Sequence, residues 1–133
     1  MNRTTDKQCS PQKNHQNQSF KQLNVWKEAK NLAVAIYKIT GADKFSRDFG
    51  LKDQIQRSSV SVVSNIAEGY ERTSNKEFLH FLNISQGSLS ELRTQLEIAH
   101  EIGYINENDF ILIDDHCCKV GAMLTNLKKA RKT

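Results

Sequence analysis

The sequence predicts an all-α protein, an antiparallel up-and-down four-helix bundle. Apolar residues recur every three or four positions through four separate segments, which is the spacing of one helix face. Glycines and helix-capping residues lie between these segments, and the connections are short, so consecutive helices should run antiparallel. No segment shows the apolar-polar alternation of a strand together with a second segment that would pair with it. At 133 residues the chain has room for one such domain.

A polar segment precedes the first helix. Residues 1–19 are rich in Asn, Gln, Ser and Lys and lack the apolar stretch of a secretory signal. We therefore expect a flexible tail, followed by a bundle domain at residues 20–133. The first helix should end at Gly41, where its apolar stripe stops. The residues of that stripe are Val25, Ala29, Leu32, Ile36 and Ile39.

The second helix carries its own apolar stripe, and Gly69 is its predicted terminator. The segment "SVSVV" alternates over five residues, but it lies inside this stripe and is therefore predicted to be helical. The residues of the stripe are Leu51, Ile55, Val62 and Ile66.

The third and fourth helices have recognisable caps. Ser74 with Glu77 three residues later has the capping-box spacing, and Asn106 is a predicted N-cap. Gly103 is the predicted C-cap of the third helix, with Tyr104 folding back on its last turn. The third stripe consists of Phe78, Phe81, Ser85, Leu89, Leu92, Leu96 and Ala99. The fourth consists of Phe110, Ile113, Cys117, Val120, Leu124 and Leu127.

The composition favours a soluble cytoplasmic protein. Apolar residues make up 38% of the chain and charged residues 26%, an ordinary soluble balance. No apolar run approaches the roughly 20 residues that span a bilayer, so we expect no membrane partner. Cys9, Cys117 and Cys118 are odd in number and two are adjacent, which disfavours a disulfide framework and predicts a reducing compartment.

The charges are unevenly distributed. Residues 1–70 hold 11 Lys and Arg against 6 Asp and Glu, residues 71–127 hold 4 against 9, and residues 128–133 add 4 cations. The net charge of +4 favours solvated or intramolecular charge over a nucleic-acid surface, and cations at a helix C-terminus also complement its dipole. If RNA or DNA binds, the candidate residues are Lys27, Lys30, Arg57, Arg72, Lys128, Lys129, Arg131 and Lys132.

Two helices are more apolar than a lone bundle requires. On the first and second helices, apolar residues extend beyond the core stripe over nearly half of the circumference, whereas a core-facing stripe covers about 100°. The sequence favours a second copy of the chain as the cover, because soluble oligomers are mostly homo-oligomers. Shielding by helix ends and lysine stems within a monomer is the alternative. The candidate interface residues are Leu23, Trp26, Val34, Tyr37, Val60 and Val63.

A polar stripe runs beside the apolar face of the second helix. Serines let helices approach closely, and buried polar groups need partners, so the stripe predicts a packed seam between helices. In the catalytic alternative, Glu68 is a general base for a serine, but no histidine or oxyanion-binding loop is near in sequence. We therefore predict a structural role and no enzymatic activity. The stripe consists of Ser58, Ser61, Asn65 and Glu68.

The sequence predicts no metal ion and no cofactor. The segment "DDHCC" contains metal-ligand types, but Asp114, His116 and Cys118 do not share one helical face, and Cys117 falls in the core stripe. The segment "NIAEG" lacks the glycine spacing of a phosphate-binding loop and the Lys-Ser/Thr that follows it.

Four segments together resemble one protein family. "LNVWKEAKNLAVAIYKIT" is followed in order by "SNIAEGYER", "FLHFLNISQGS" and "ELRTQLEIA". From Phe20 to about Lys129 the chain is similar to the bacterial four-helix-bundle proteins of 23S ribosomal RNA intervening sequences. The resemblance implies a small cytoplasmic protein that assembles as a ring-like homopentamer. The accessory protein of diversity-generating retroelements, which has a similar shape, is a pentamer that binds nucleic acid, so RNA or DNA binding is implied by analogy.

The chain departs from the family pattern where Ser46 and Val63 stand in place of prolines. Without an interior proline, the second helix should keep its backbone hydrogen bond at Val63 and run straighter.

Two functions of different classes remain open at this point. The first is a nucleic-acid-binding homo-oligomer, in which a weak basic patch gains avidity by repetition around a ring. The second is a protein-interaction scaffold that holds another protein and does not bind nucleic acid.

Overall fold

The computed structural model describes residues 19–132 and contains four long helices. Helix α1 spans Asn24–Thr40, α2 Phe49–Tyr70, α3 Asn75–Glu101 and α4 Glu107–Arg131. Short 3₁₀ helices at Phe20–Gln22 and Asp43–Arg47 precede α1 and join it to α2. No strand occurs within residues 19–132, so the predicted all-α class with four helices is confirmed. Of the predicted tail, residues 1–18 lie outside the described residues.

Hydrogen bonds between helices show that neighbouring helices run antiparallel. Each helix packs against two others, in the order α1, α2, α3, α4 and back to α1. The carboxylate of Glu28 on α1 accepts hydrogen bonds from His116 and Lys119 on α4. From one end of the bundle to the other, the pairs between α3 and α4 are Asn75–Arg131, Asn83–Lys128, Gln86–Thr125, Arg93–Asp114 and His100–Glu107. In the described part of the chain, no helix has the length and apolar character needed to cross a membrane.

One apolar core fills the space between the four helices, and the predicted stripes supply most of it. Two residues from the connections between the long helices close one end of this core: Phe45 is 0% exposed and Ile105 is 3% exposed. The ring of Phe45 lies 5.2 Å from that of Tyr104, whose hydroxyl donates a hydrogen bond to Asp48 at 2.9 Å. The periodic pattern did not predict Phe45 or Ile105, because loop residues have no helical period.

The predicted caps are confirmed. The Oγ of Ser74 accepts a hydrogen bond from the backbone N–H of Glu77 at 3.1 Å, which starts α3. Gly103 has φ +88°, and the N–H of Tyr104 donates to the carbonyl oxygen of Ala99 at 2.9 Å. This is the Schellman arrangement, in which glycine takes the left-handed conformation after the helix. Asn106 caps α4 in the same way as Ser74 caps α3.

The prediction for Gly69 is wrong. Helix α2 continues through Gly69 to Tyr70, and Gly69 is buried against α3. A Cβ atom at this position would lie only 2.8 Å from the Cβ of Phe81 and 3.0 Å from a ring carbon of Phe78. Gly69 therefore permits the close approach of two helices. Phe81 is only partly buried, and Leu82 takes its predicted place in the core.

Helix α2 is unbroken at Val63, where the family pattern has a proline. The helix is continuous from Phe49 to Tyr70, as the loss of that proline predicts. The N-terminus of α2 is capped by Asp48, whose Oδ1 accepts a hydrogen bond from the N–H of Leu51 at 3.1 Å.

We expect Gly69→Ala to lower the free energy of unfolding by about 1–3 kcal/mol, because the added methyl group overlaps Phe81. Gly87→Ala is the matched control on α3. A Cβ atom at Gly87 meets nothing within 4 Å, so alanine should stabilise this helix by about 0.5–1 kcal/mol. Urea unfolding followed by circular dichroism, at one fixed protein concentration, measures both. Equal stabilities of the two variants would show that α2 and α3 are not in close contact at Gly69.

Candidate nucleic-acid interface

The first half of the predicted polar stripe lies at the seam between α2 and α3. Ser58 is buried, and its Oγ donates a hydrogen bond to Oε1 of Gln95 at 2.9 Å. The Oγ atoms of Ser61 and Ser88 lie 2.7 Å apart and share a hydrogen bond. These hydroxyls therefore satisfy polar groups across the seam, as packing requires.

The second half of the stripe stays within α2. Nδ2 of Asn65 donates to the carbonyl oxygen of Ser61 at 2.8 Å, and Glu68 forms an exposed ion pair with Arg72 one turn later. The predicted seam thus includes Ser58 and Ser61, whereas Asn65 and Glu68 bond to nearby residues of their own chain segment. Next to Glu68 in the chain, Gly69 is the residue that packs against Phe81 of α3.

One end of the bundle gathers basic side chains. Because the helices are antiparallel, α2 ends and α3 begins beside the last turns of α4. The guanidinium group of Arg72 lies 4.8 Å from the ring centroid of Phe81, and that of Arg131 lies 4.9 Å from the ring of Phe78. Both contacts hold a cation against an aromatic face. We call this the basic end, and it comprises Arg72, Lys76, Lys128, Lys129, Arg131 and Lys132.

Sequence reasoning missed Lys76 and its neighbour His80 at the basic end. Both are exposed on the first turns of α3. Their proximity to Lys132 depends on the antiparallel packing of α3 on α4, because 56 residues separate Lys76 from Lys132 in the chain. The available signal was the spacing of Lys76, His80 and Asn83, which places all three on one face of the predicted third helix.

Arg57 lies away from the basic end, whereas Lys27 and Lys30 lie on α1, which begins at the same end of the antiparallel bundle. Arg57 lies 13 residues before the end of α2, a separation of about 20 Å along the helix, and pairs with Asp53 at 2.9 Å. Lys27 and Lys30 lie on the first two turns of α1, and Nζ of Lys30 sits 5.9 Å from the ring of Trp26.

An exposed apolar surface runs along α1 and α2. Val34, Tyr37 and Val60 are 46%, 47% and 42% exposed. Nε2 of Gln56 donates to Oγ1 of Thr40 at 2.9 Å, which places Tyr37 at the level of Val60 on the adjacent helix. The other predicted interface residues are partly buried and pack on the core: Leu23, Trp26 and Val63. We call these six residues the α1–α2 face.

A second set of exposed apolar side chains was not predicted. Ile98 on α3 and Ile102, the C-cap residue of that helix, lie one turn apart, and Leu112 on α4 is 69% exposed. Leu112 lines an open groove of about 520 Å³ between α1 and α4. These residues fall outside the core stripes of their helices, and sequence reasoning had found excess apolar surface only on the first two helices. In the sequence, the spacing of four between Ile98 and Ile102 places both on one helix face and could have indicated this apolar surface.

Several titratable groups are engaged in structural contacts. His116 and Lys119 both bond to Glu28, and the hydrogen bond from Lys119 is the main reason that the pKa of Glu28 is lowered. Burial raises the pKa of the Cys117 thiol to about 12, so this cysteine is protonated at neutral pH. Across residues 19–132, no group of three or more His, Cys, Asp or Glu side chains is arranged to hold a metal ion.

Comparison with known protein families covers most of the chain. Residues 21–126 match the model of the family described as 23S rRNA-intervening sequence protein. The chain belongs to this family. The match includes α1, α2, α3 and most of α4, but it stops before Lys128. This 23S rRNA-intervening sequence protein therefore carries four of its six basic-end residues beyond the part matched by the family.

A solved structure supports the same fold. It is described as a protein with unknown function from the S23 ribosomal protein family of Bacteroides thetaiotaomicron. The two chains are 26% identical with a TM-score of 0.73, over 79% of this 23S rRNA-intervening sequence protein and 95% of the other chain. No curated protein matches this chain significantly. The family resemblance read from the sequence is thus confirmed.

We expect Ser58→Ala to destabilise the protein by about 1–3 kcal/mol, because the buried Oε1 of Gln95 loses its donor. Ser64→Ala is the control on the same helix. Ser64 is exposed, so its replacement should change stability by no more than about 0.5 kcal/mol. Thermal unfolding of the two variants at equal protein concentration measures both effects. If Ser58→Ala is as stable as Ser64→Ala, the hydrogen bond between Ser58 and Gln95 does not stabilise the seam.

Proposed function

We propose that this protein acts by binding, as a cytoplasmic homopentamer that contacts RNA or DNA through the basic end of each subunit. The observation that carries the proposal is the convergence of three helix termini, which gathers six Lys and Arg side chains on one small surface. A polyanion such as the phosphate backbone would displace counterions there, and this displacement supplies much of the affinity of nucleic-acid-binding proteins.

Most cations of the basic end are not held in ion pairs with carboxylates in the described part of the same subunit. Of its six cations, Arg72 alone takes part in an ion pair recorded for residues 19–132. By contrast, Arg57 pairs with Asp53, and Arg93 pairs with Asp114. The basic end is therefore the part of the described surface where an anionic partner would find the most unpaired positive charge.

The exposed apolar surfaces support self-association. A closed ring with five-fold symmetry needs two different surfaces on each subunit, one that binds the next copy and one that is bound by the previous copy. The α1–α2 face supplies one apolar surface, and the side chains around Ile98 and Leu112 supply others of different shape. The number five comes from the family resemblance. Five basic ends in one ring would bind a polyanion with avidity that a single weak site lacks.

Binding rather than catalysis is supported by the state of the reactive groups. His100 and His116 are each bonded to a glutamate, and the thiol of Cys117 is buried and protonated. Cys118 is an exposed free cysteine, which suits the reducing cytoplasm.

For the oligomer, we expect a mass near five times 15.2 kDa by light scattering, and a large fall in mass for Val34→Lys. Lysine at position 34 would place a charge in the apolar interface, where it lacks a partner. Ser90→Lys is the control, since it adds the same charge to an exposed position of α3, away from the α1–α2 face. A monomeric wild-type protein would refute the proposed assembly, and an unchanged mass for Val34→Lys would remove the α1–α2 face from it.

For nucleic-acid binding, we expect a fluorescently labelled ribosomal RNA fragment to bind the wild-type protein at low salt, with affinity falling steeply as salt rises. Replacing Lys128, Lys129, Arg131 and Lys132 with Gln should reduce the affinity at least tenfold and flatten the salt dependence. The control replaces four cations at the opposite end with Gln: Lys38, Lys44, Arg47 and Lys52. If both quadruple variants lose affinity equally, general charge and not the basic end governs binding. If the wild-type oligomer is indifferent to RNA and DNA, the proposed function is wrong and protein partners become the object of study.

A further inference from the structure

The basic end contains a groove that is lined by both polar and apolar side chains. The groove has a volume of about 540 Å³ and lies beside the first turns of α3 and the end of α4. Its volume is in the range of sites that hold small organic ligands. The residues that line it are Asn75, Lys76, Leu79, His80, Asn83 and Lys132. The lining thus combines two cations, two amides, one aliphatic side chain and one imidazole.

Packing and hydrogen bonds position several of these side chains. The imidazole of His80 packs edge to face against Phe81, with 5.4 Å between ring centroids. Oδ1 of Asn83 accepts a hydrogen bond from Nζ of Lys128 at 2.9 Å, so the amide N–H groups of Asn83 remain available as donors. Nδ2 of Asn75 donates to the carbonyl oxygen of Arg131, so the amide oxygen of Asn75 remains available as an acceptor.

The two lysines of the groove are available for an anion. Neither Lys76 nor Lys132 takes part in an ion pair recorded for residues 19–132, whereas Arg72 at the same end of the bundle is paired with Glu68. Both lysines are exposed. An anionic group in the groove would therefore meet two cations that are not held by carboxylates.

We propose that this groove binds one unpaired nucleotide of a single-stranded RNA or DNA segment. The base stacks on His80 and Leu79, and its edge meets the amides of Asn75 and Asn83. The adjoining phosphates contact Lys76 and Lys132. This inference rests on the proposed function, because it assigns the form of nucleic acid that the basic end prefers.

The chemistry of the lining favours an unpaired nucleotide over a duplex. Within a duplex, the faces of the bases are covered by stacking, and the phosphates are the groups most accessible to a convex surface. An unpaired base exposes both its face and its hydrogen-bonding edge, and proteins bind such bases by stacking on aromatic side chains, including histidine. A surface that bound only the duplex backbone would gain little from an imidazole and two amides beside its lysines.

Fluorescence anisotropy tests the inference with four forms of the full chain: wild type, His80→Ala, His80→Phe and the Gln variant of Lys128, Lys129, Arg131 and Lys132. The probes are a labelled single-stranded 15-nucleotide RNA, the blunt duplex of the same sequence, and the single-stranded DNA of that sequence, all at low salt. His80 is exposed, so both substitutions should fold, and circular dichroism verifies this.

We expect the wild-type protein to prefer the single strand to the duplex. His80→Ala should weaken single-strand binding about five- to a hundredfold, the range expected for loss of one stacked base, and leave duplex binding unchanged. His80→Phe should retain the preference, because it keeps an aromatic face. If single-stranded DNA binds as tightly as the single-stranded RNA, this would support recognition of the base and the phosphates without a contact to the ribose 2′-hydroxyl.

Two results would overturn the inference. If single strand and duplex bind equally and His80→Ala changes neither, the groove does not hold a base, although loss of binding in the quadruple variant would leave the proposed function standing. If the wild-type protein binds none of the three probes, the inference and the proposed function fail together.

Discussion

The close contact between α2 and α3 is the constraint on which the rest of this structure depends. Gly69 brings the two helices together at one end, and small hydroxyl side chains continue the seam towards the other. The Oγ of Ser85 on α3 donates a hydrogen bond to the carbonyl oxygen of Val62 on α2 at 2.6 Å, in the buried part of the same seam. A seam of this kind fixes the register of α2 on α3, because a shift of one turn would separate the hydroxyls from their partners. The position of Arg72 relative to the start of α3 follows from this register.

Much of the fold could be predicted from the sequence because its signals are local. The stripes follow from the helical period, and Ser74, Gly103 and Asn106 are caps whose chemistry acts within a few residues. The role of Gly69 could not be predicted in the same way. A glycine near the end of an apolar stripe suits both a terminator and a close helix contact, and only the residue opposite it, Phe81, decides between them. Phe45 could not be predicted either, because it lies in the connection between α1 and α2, outside the period of either helix.

The candidate site could be predicted only in part, for a related reason. The cluster at Lys128–Lys132 is contiguous in the sequence and therefore visible there. Lys76 and His80 become its neighbours only when α3 packs antiparallel to α4. Arg57 was among the predicted cations, yet about 20 Å of helix separates it from the basic end. A net charge of +4 also conceals the arrangement, since it averages a basic end with the acidic residues elsewhere in the chain.

The contact between α1 and α4 differs from the other helix contacts in the distance that it spans along the chain. Glu28 meets His116 and Lys119, which are 88 and 91 residues away, whereas each of the other helix pairs is joined by a short connection. Forming such a contact closes a long loop, so the three helical hairpins can form before the bundle closes.

The pKa of Glu28 is lowered in the folded protein, so its contribution to stability is present above the carboxyl's ordinary pKa and is lost as pH falls through the lowered value. Acid below the ordinary carboxyl pKa should therefore loosen α1 from α4, and α1 carries most of the α1–α2 face. The contact of longest sequence separation and the surface proposed for assembly thus involve the same helix.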